Sequence, residues 1–115
     1  MSAILCPKIK LWFVNENNEP ILGEGLARLL EAIEKYGSIT QASSNLNMSY
    51  RYALHRISLA EKRLGFKLVQ RHRGGVLGGS SELTTKGKVL LEKYEKLEKE
   101  VAKFLKTGRH RFKIR

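Results

Sequence analysis

The chain has 115 residues, 42% of them hydrophobic, and carries 22 Lys and Arg against 11 acidic residues, a net charge of +11 with a pI near 10. That length holds one domain with a modest core, marginal unless it shares surface with a partner. The single cysteine, Cys6, excludes an intrachain disulfide and a cysteine zinc site, and the absence of any Asp removes the commonest donor of magnesium ligands and acid–base partners.

Residues 8–14, KIKLWFV, are β-prone and partly alternating. With the NENNE turn and Pro20 to Gly23 they predict an N-terminal β-hairpin, in which Trp12 belongs to core or interface. From Glu24, a stripe of Leu26, Leu29, Leu30, Ile33 and Tyr36 predicts a helix that stops at Gly37.

Ser38 with Gln41 three places on is a capping-box arrangement that opens a short helix at Ile39. Asn47, tolerant of left-handed geometry, breaks it, and Ser49 caps a second helix. There Ala53, Ile57, Ala60 and Leu64 share one face, while Arg51, His55, Ser58 and Lys62 occupy the other. Two short helices, a tight turn, small or apolar residues inside and basic ones outside predict a helix-turn-helix whose recognition helix, about 49–64, fits a major groove.

Gly65 ends that helix, and residues 66–84 predict a wing: strands Lys67–Arg71 and Ser81–Thr84 around a glycine-rich tip, with Arg71, His72 and Arg73 at its base. The glycines do not form a phosphate loop, since no GxxxxGK[ST] is present. Thr84 or Thr85 then caps a long helix, about 85–106, in which Leu90, Tyr94, Leu97, Val101 and Phe104 advance by 4, 3, 4, 3 as an a/d seam. Two partners for the seam stay open, a second copy of the chain and helix 1, and dimerisation is the expectation carried forward. Residues 108–115 form a basic tail, either a disordered arm or a short edge strand.

The excess charge is localised. Residues 49–73 hold seven basic groups and one acid, and the tail holds four basic groups and none. Such clustering is the footprint of a polyanion binder.

The strings GSITQASSNLNMSYRYALHRI, E-x-x-LG-x-x-LV-x-R and GGVLGGSSELTTKG closely resemble the winged helix-turn-helix domain of the ModE family of molybdate-responsive regulators, and more distantly the DNA-binding domain of LysR-type regulators. The likeness covers roughly residues 24–95, and it implies that family's fold, dimeric state and role in transcription. In the family, the S-Y-[KR] helix start and the wing face DNA, which here means Ser49, Tyr50, Arg51 and Arg71 to Gly79. Molybdate-sensing members carry the oxyanion site in further domains after this part; the present sequence ends at Arg115, so metal sensing is not expected of it.

The expectation is therefore an α+β protein, mainly α with small β: a winged helix-turn-helix over 1–107 with a long C-terminal dimerisation helix. Double-stranded DNA is the expected partner, read by Tyr50, Arg51, Tyr52 and His55 at base edges. Ser49, Arg56, Lys62 and Lys67 would hold the backbone, and the wing with Arg71, His72 and Arg73 at its base would lie along phosphates or reach into a minor groove. A sequence-specific homodimeric regulator is the first reading and an unspecific architectural DNA-binding protein the alternative. The three histidines lie in basic surroundings without a nucleophile–base pairing or a metal-ligand spacing, so no enzyme, cofactor or metal is expected. No apolar run reaches the roughly 18 residues of a membrane span, and a cytoplasmic setting follows.

Overall fold

The computed structural model describes residues 1–73 and 79–115. Its elements run β1 (Ala3–Leu5), β2 (Phe13–Val14), β3 (Pro20–Leu22), α1 (Glu24–Tyr36), α2 (Ile39–Asn45), α3 (Tyr50–Leu64), β4 (Val69–His72), β5 (Ser80–Leu83), α4 (Thr85–Thr107) and β6 (Phe112–Ile114). Three two-stranded antiparallel sheets pair β1 with β6, β2 with β3, and β4 with β5.

Helix boundaries follow local chemistry. Gly37 and Gly65 take φ of 75° and 83° at the ends of α1 and α3, where a Cβ is disfavoured. Ser38 accepts from Gln41 N, Ser49 from Tyr52 N and Thr84 from Gly87 N, so α2, α3 and α4 each begin with one orphan amide satisfied. Asn47 has φ 56°, the left-handed residue of the turn between α2 and α3.

Helix α1 is the centre of the core. Its Leu26, Leu29, Leu30 and Ile33 are buried against Ile39 and Ala42 of α2, Ala53 and Ile57 of α3, and Leu91 and Tyr94 of α4. Ala42 and Ala53 are wholly inaccessible, and their size lets α2 and α3 approach closely. Across the α1–α4 contact, Arg28 forks between Glu31 at 2.9 Å and Glu98 at 2.6 Å. A hydrogen bond to Glu31 and partial desolvation push the Glu95 carboxyl up to about 7. Because the folded chain then holds a proton that the unfolded chain has lost, stability should fall as pH rises from about 4.5 through 7. Thermal unfolding followed from pH 5 to pH 8 checks this, and Glu95→Gln should flatten the profile.

Several expectations change. Only Phe13 and Val14 of the 8–14 stretch form a strand; Lys8, Ile9 and Leu11 lie beside α4, where Tyr94 Oη donates to Leu11 O at 2.9 Å. Trp12 is 58% exposed and so lies outside the core. The C-terminal tail is an edge strand, with Ala3, Ile4 and Leu5 opposite Ile114, Lys113 and Phe112. On the buried face of α3 the apolar stripe includes Glu61, while Leu64 is only partly covered.

The a/d seam of α4 divides. Tyr94 is 1% exposed, packed edge-to-face on Phe13 with ring centroids 5.3 Å apart, and it belongs to the chain's own core. Leu90 and Val101 are half-buried, and Leu97 and Phe104 are exposed. Beyond Tyr94 no α4 residue is buried, so the helix projects past the core and the chain extends to 63 × 31 × 21 Å.

At its start, α4 is pressed onto the wing. A Cβ on Gly87 would collide with the Leu68 carbonyl, a backbone atom with no room to yield. Gly87→Ala should therefore destabilise the fold by about 1–3 kcal/mol, the cost typical of overpacking. Urea unfolding of the two proteins measures it.

Candidate nucleic-acid interface

The turn of the helix-turn-helix leaves α3 with one apolar face seated on α1 and the other in solvent. Arg51, His55, Ser58 and Lys62 are all exposed on that outer face, four residues at helical spacing. Ser49, Tyr50 and Tyr52 crowd the first turn, also exposed, with Tyr50 at 44% and Tyr52 at 49%. Aromatic and cationic side chains at a helix N-terminus are the part that reaches base edges when a helix enters a groove.

The wing stands beside this turn. Its strands are Val69–His72 and Ser80–Leu83, paired Val69 with Leu83, Gln70 with Glu82, Arg71 with Ser81 and His72 with Ser80. The first strand begins two residues later than the spacing predicts, because Lys67 and Leu68 are held by other bonds: Thr84 Oγ1 donates to Lys67 O at 2.7 Å, and Thr84 N to Leu68 O at 2.9 Å. The wing tip, residues 74–78, with the glycines Gly74, Gly75 and Gly78, lies outside the described residues.

Between helix start and wing base is a cleft of about 460 Å³. Its walls are Ser38, Ile39 and Thr40 at the head of α2, Tyr50 of α3, and Arg71, His72 and Arg73 with Gly79 to Ser81 of the wing. Arg71 Nη1 approaches Tyr50 Oη at 3.5 Å, a long contact that nevertheless ties recognition helix to wing. Arg71 and Arg73 on the wing side of this polar cleft, facing the hydroxyls of Ser38, Thr40 and Tyr50, concentrate positive potential where a phosphate backbone would run.

Of the residues expected to meet DNA, Ser49, Tyr50, Arg51, Tyr52, His55, Lys62, Lys67, Arg71, His72 and Arg73 are exposed. Besides the Ser49 cap and the Arg71–Tyr50 contact, Arg56, His72 and Lys67 are partly engaged within the chain. Arg56 is half-buried in a hollow with Trp12, Leu59 and Arg63, off the outer face of α3. His72 Nε2 is 3.0 Å from Glu82 Oε1, and Lys67 Nζ is 3.6 Å from Glu61 Oε1. Ser38, Thr40 and Ser80 also line the cleft, and no sequence pattern marks them as DNA-facing beyond the hydroxyl-rich head of α2.

Among the described residues no group of three or more His, Cys, Asp or Glu could hold a metal ion, and no helix is long and apolar enough to cross a membrane.

Comparison with known proteins agrees with this fold. The bacterial regulatory helix-turn-helix proteins of the lysR family match residues 25–88. The transcriptional regulator ModE of Haemophilus influenzae is 37% identical over 87 residues, 76% of this chain and 31% of its own. The molybdenum transport protein ModE of Azotobacter vinelandii is 38% identical over 77 residues, 67% of this chain and 28% of its own. The chain thus spans about a third of the length of these relatives. Among solved structures, ArgP from Mycobacterium tuberculosis superposes with a TM-score of 0.54 at 28% identity, covering 75% of this chain and 31% of ArgP. The DNA-binding domain of CbnR in complex with DNA gives 0.56 at 20% identity, covering 74% and 92%, a likeness of fold.

Proposed function

The chain belongs to the lysR family of bacterial regulatory helix-turn-helix proteins, and from that premise we propose that it is a homodimeric, sequence-specific DNA-binding regulator of transcription acting in the cytoplasm. The observation that carries the proposal is the joint exposure of Arg51, His55 and Lys62 on α3 and of Arg71 and Arg73 across the cleft on the wing. A helix fitted to a groove and a cationic wing on the flanking backbone account for both. Arg51 supplies a bidentate guanine contact, Tyr50, Tyr52 and His55 touch neighbouring base edges, and Ser49, Lys62, Lys67, Arg71, His72 and Arg73 hold phosphates. Arg56, half-buried, contributes at the margin.

The dimer is supported by what α4 leaves uncovered. Leu97 and Phe104 are 38% and 61% exposed on a helix that runs past its own core, and Leu90 and Val101 flank them half-buried. Paired two-fold with a copy of itself, such a helix holds two recognition helices about 34 Å apart, or a multiple of that, on one face of the duplex. The Azotobacter vinelandii relative is named for molybdenum transport and the Haemophilus influenzae relative as a transcriptional regulator; only the regulatory role is carried over to this chain.

Selection of bound fragments from random duplexes, followed by footprinting at about 0.15 M salt, tests the proposal. Discrete protected palindromes are the expected result. Uniform coating of any duplex would move the protein to the architectural class.

A further inference from the structure

The strongly basic stretch from Ser49 to Arg73 contains one acid, Glu61. A carboxylate there opposes phosphate binding, and its place on the buried face of α3 is costly unless it is hydrogen-bonded. It is: Glu61 Oε2 accepts from Leu68 N at 2.7 Å and from Val69 N at 3.2 Å, the two amides at the start of the wing. Leu68 and Val69 are themselves buried, so these amides have little access to water as a substitute acceptor. The Leu68 peptide is gripped from the other side too, its carbonyl taking Thr84 N at 2.9 Å while Gly87 leaves no gap above it.

We propose that Glu61 is a positioning residue that sets the wing against the recognition helix, so that Arg71, two residues beyond Val69, addresses the same stretch of duplex as Arg51. The α3 backbone continues into the wing only through Gly65, Phe66 and Lys67, and the Glu61 clasp bridges that short connection from inside the protein. Without the clasp, β4 keeps its ladder to β5 and its hold on α4 but loses its fixed angle to α3. Arg71 and Arg73 then wander with respect to α3 while both elements stay folded.

This inference rests on the DNA-binding reading above, and the experiment separates the two. Glu61→Ala, Glu61→Gln and the parent chain are compared for affinity to a selected operator and to a random duplex between about 50 and 200 mM salt, the range over which phosphate contacts reveal themselves. In parallel, amide exchange at Leu68 and Val69 and the NMR shifts of Arg71 and Ser80 to Leu83 are recorded without DNA. Glu61→Ala should bind the operator about tenfold more weakly, with a shallower salt dependence that corresponds to about one fewer phosphate neutralised. Glu61→Gln keeps an acceptor oxygen and should bind within about threefold of the parent despite its altered charge. The Leu68 and Val69 amides should exchange slowly in the parent and in Glu61→Gln.

A merely structural role would lower the melting temperature and leave the salt dependence per folded molecule unchanged. Tighter binding by both variants to both duplexes would show Glu61 acting only as an opposing charge. Either result overturns the proposal, as does fast exchange of the two amides in the parent, a readout that holds even where Glu61→Ala does not fold. A parent chain that selects no operator would instead defeat the DNA-binding reading and leave the DNA-free measurements to judge the clasp.

Discussion

Replacing Tyr94 by alanine should lower the unfolding free energy by about 3–5 kcal/mol, the range for removing a large, fully buried aromatic side chain. Three losses combine. The ring is 1% exposed and belongs to the core that α1 and α4 share, with Leu11 and Phe13 against it. Its edge-to-face contact with Phe13, at 5.3 Å and 66°, disappears. The Leu11 carbonyl that accepts from Tyr94 Oη at 2.9 Å is left without its partner, and Lys8 to Trp12 are no longer tethered to α4. For a domain whose total stability is about 5–15 kcal/mol, the deficit is a large fraction of the whole. Tyr94→Phe, which keeps the ring, should cost only about 1 kcal/mol.

The effect should appear at every protein concentration, because it lies within one chain. Phe104→Ser is the opposite case. Phe104 is 61% exposed, so its removal should spare the monomer and lower melting only where subunits associate. Chemical denaturation at two protein concentrations distinguishes the pair, and a concentration-dependent deficit for Tyr94→Ala would return that residue to the subunit interface.

What sequence could and could not foretell divides along the range of the forces involved. The helix-turn-helix was legible because its determinants are local: Ser38, Asn47, Ser49 and Gly65 each dictate the backbone within a few residues of themselves. The β1–β6 ribbon was only half legible: Arg111 to Arg115 alternates as an edge strand can, but its partner Ala3–Leu5 has no alternation and lies almost the whole chain away. Tyr94 misled for a related reason. A heptad seam says which residues share a stripe, while the partner of each is set by where the helix leaves the core. Glu61 had a faint signal, an acid between Ala60 and Leu64 on an apolar face, but the amides that explain it lie on a different element.

Arg51→Ala should cost about 1–3 kcal/mol of operator affinity in each half-site and relax selectivity at the base pair it reads. Arg51 is exposed in the first turn of α3, immediately after Tyr50, and it has no carboxylate partner among the described ion pairs. Its guanidinium is therefore free to pair with the two acceptors of a guanine edge, and the geometry of that fork is what another base cannot match. Lys67→Ala should behave otherwise. Lys67 is 79% exposed at the wing root, a point charge suited to phosphate, and its removal should weaken operator and random duplex alike and reduce the salt slope by about one. The contrast matters more than either number. A homodimer places Arg51 in both half-sites, so the operator-specific loss should be about twice the single-site figure, whereas an unspecific binder has no operator to lose. Titration of both variants on a selected operator and on a shuffled duplex reads this directly. Equal losses on the two duplexes for Arg51→Ala would remove it from base reading and leave the recognition helix as a phosphate-binding surface only.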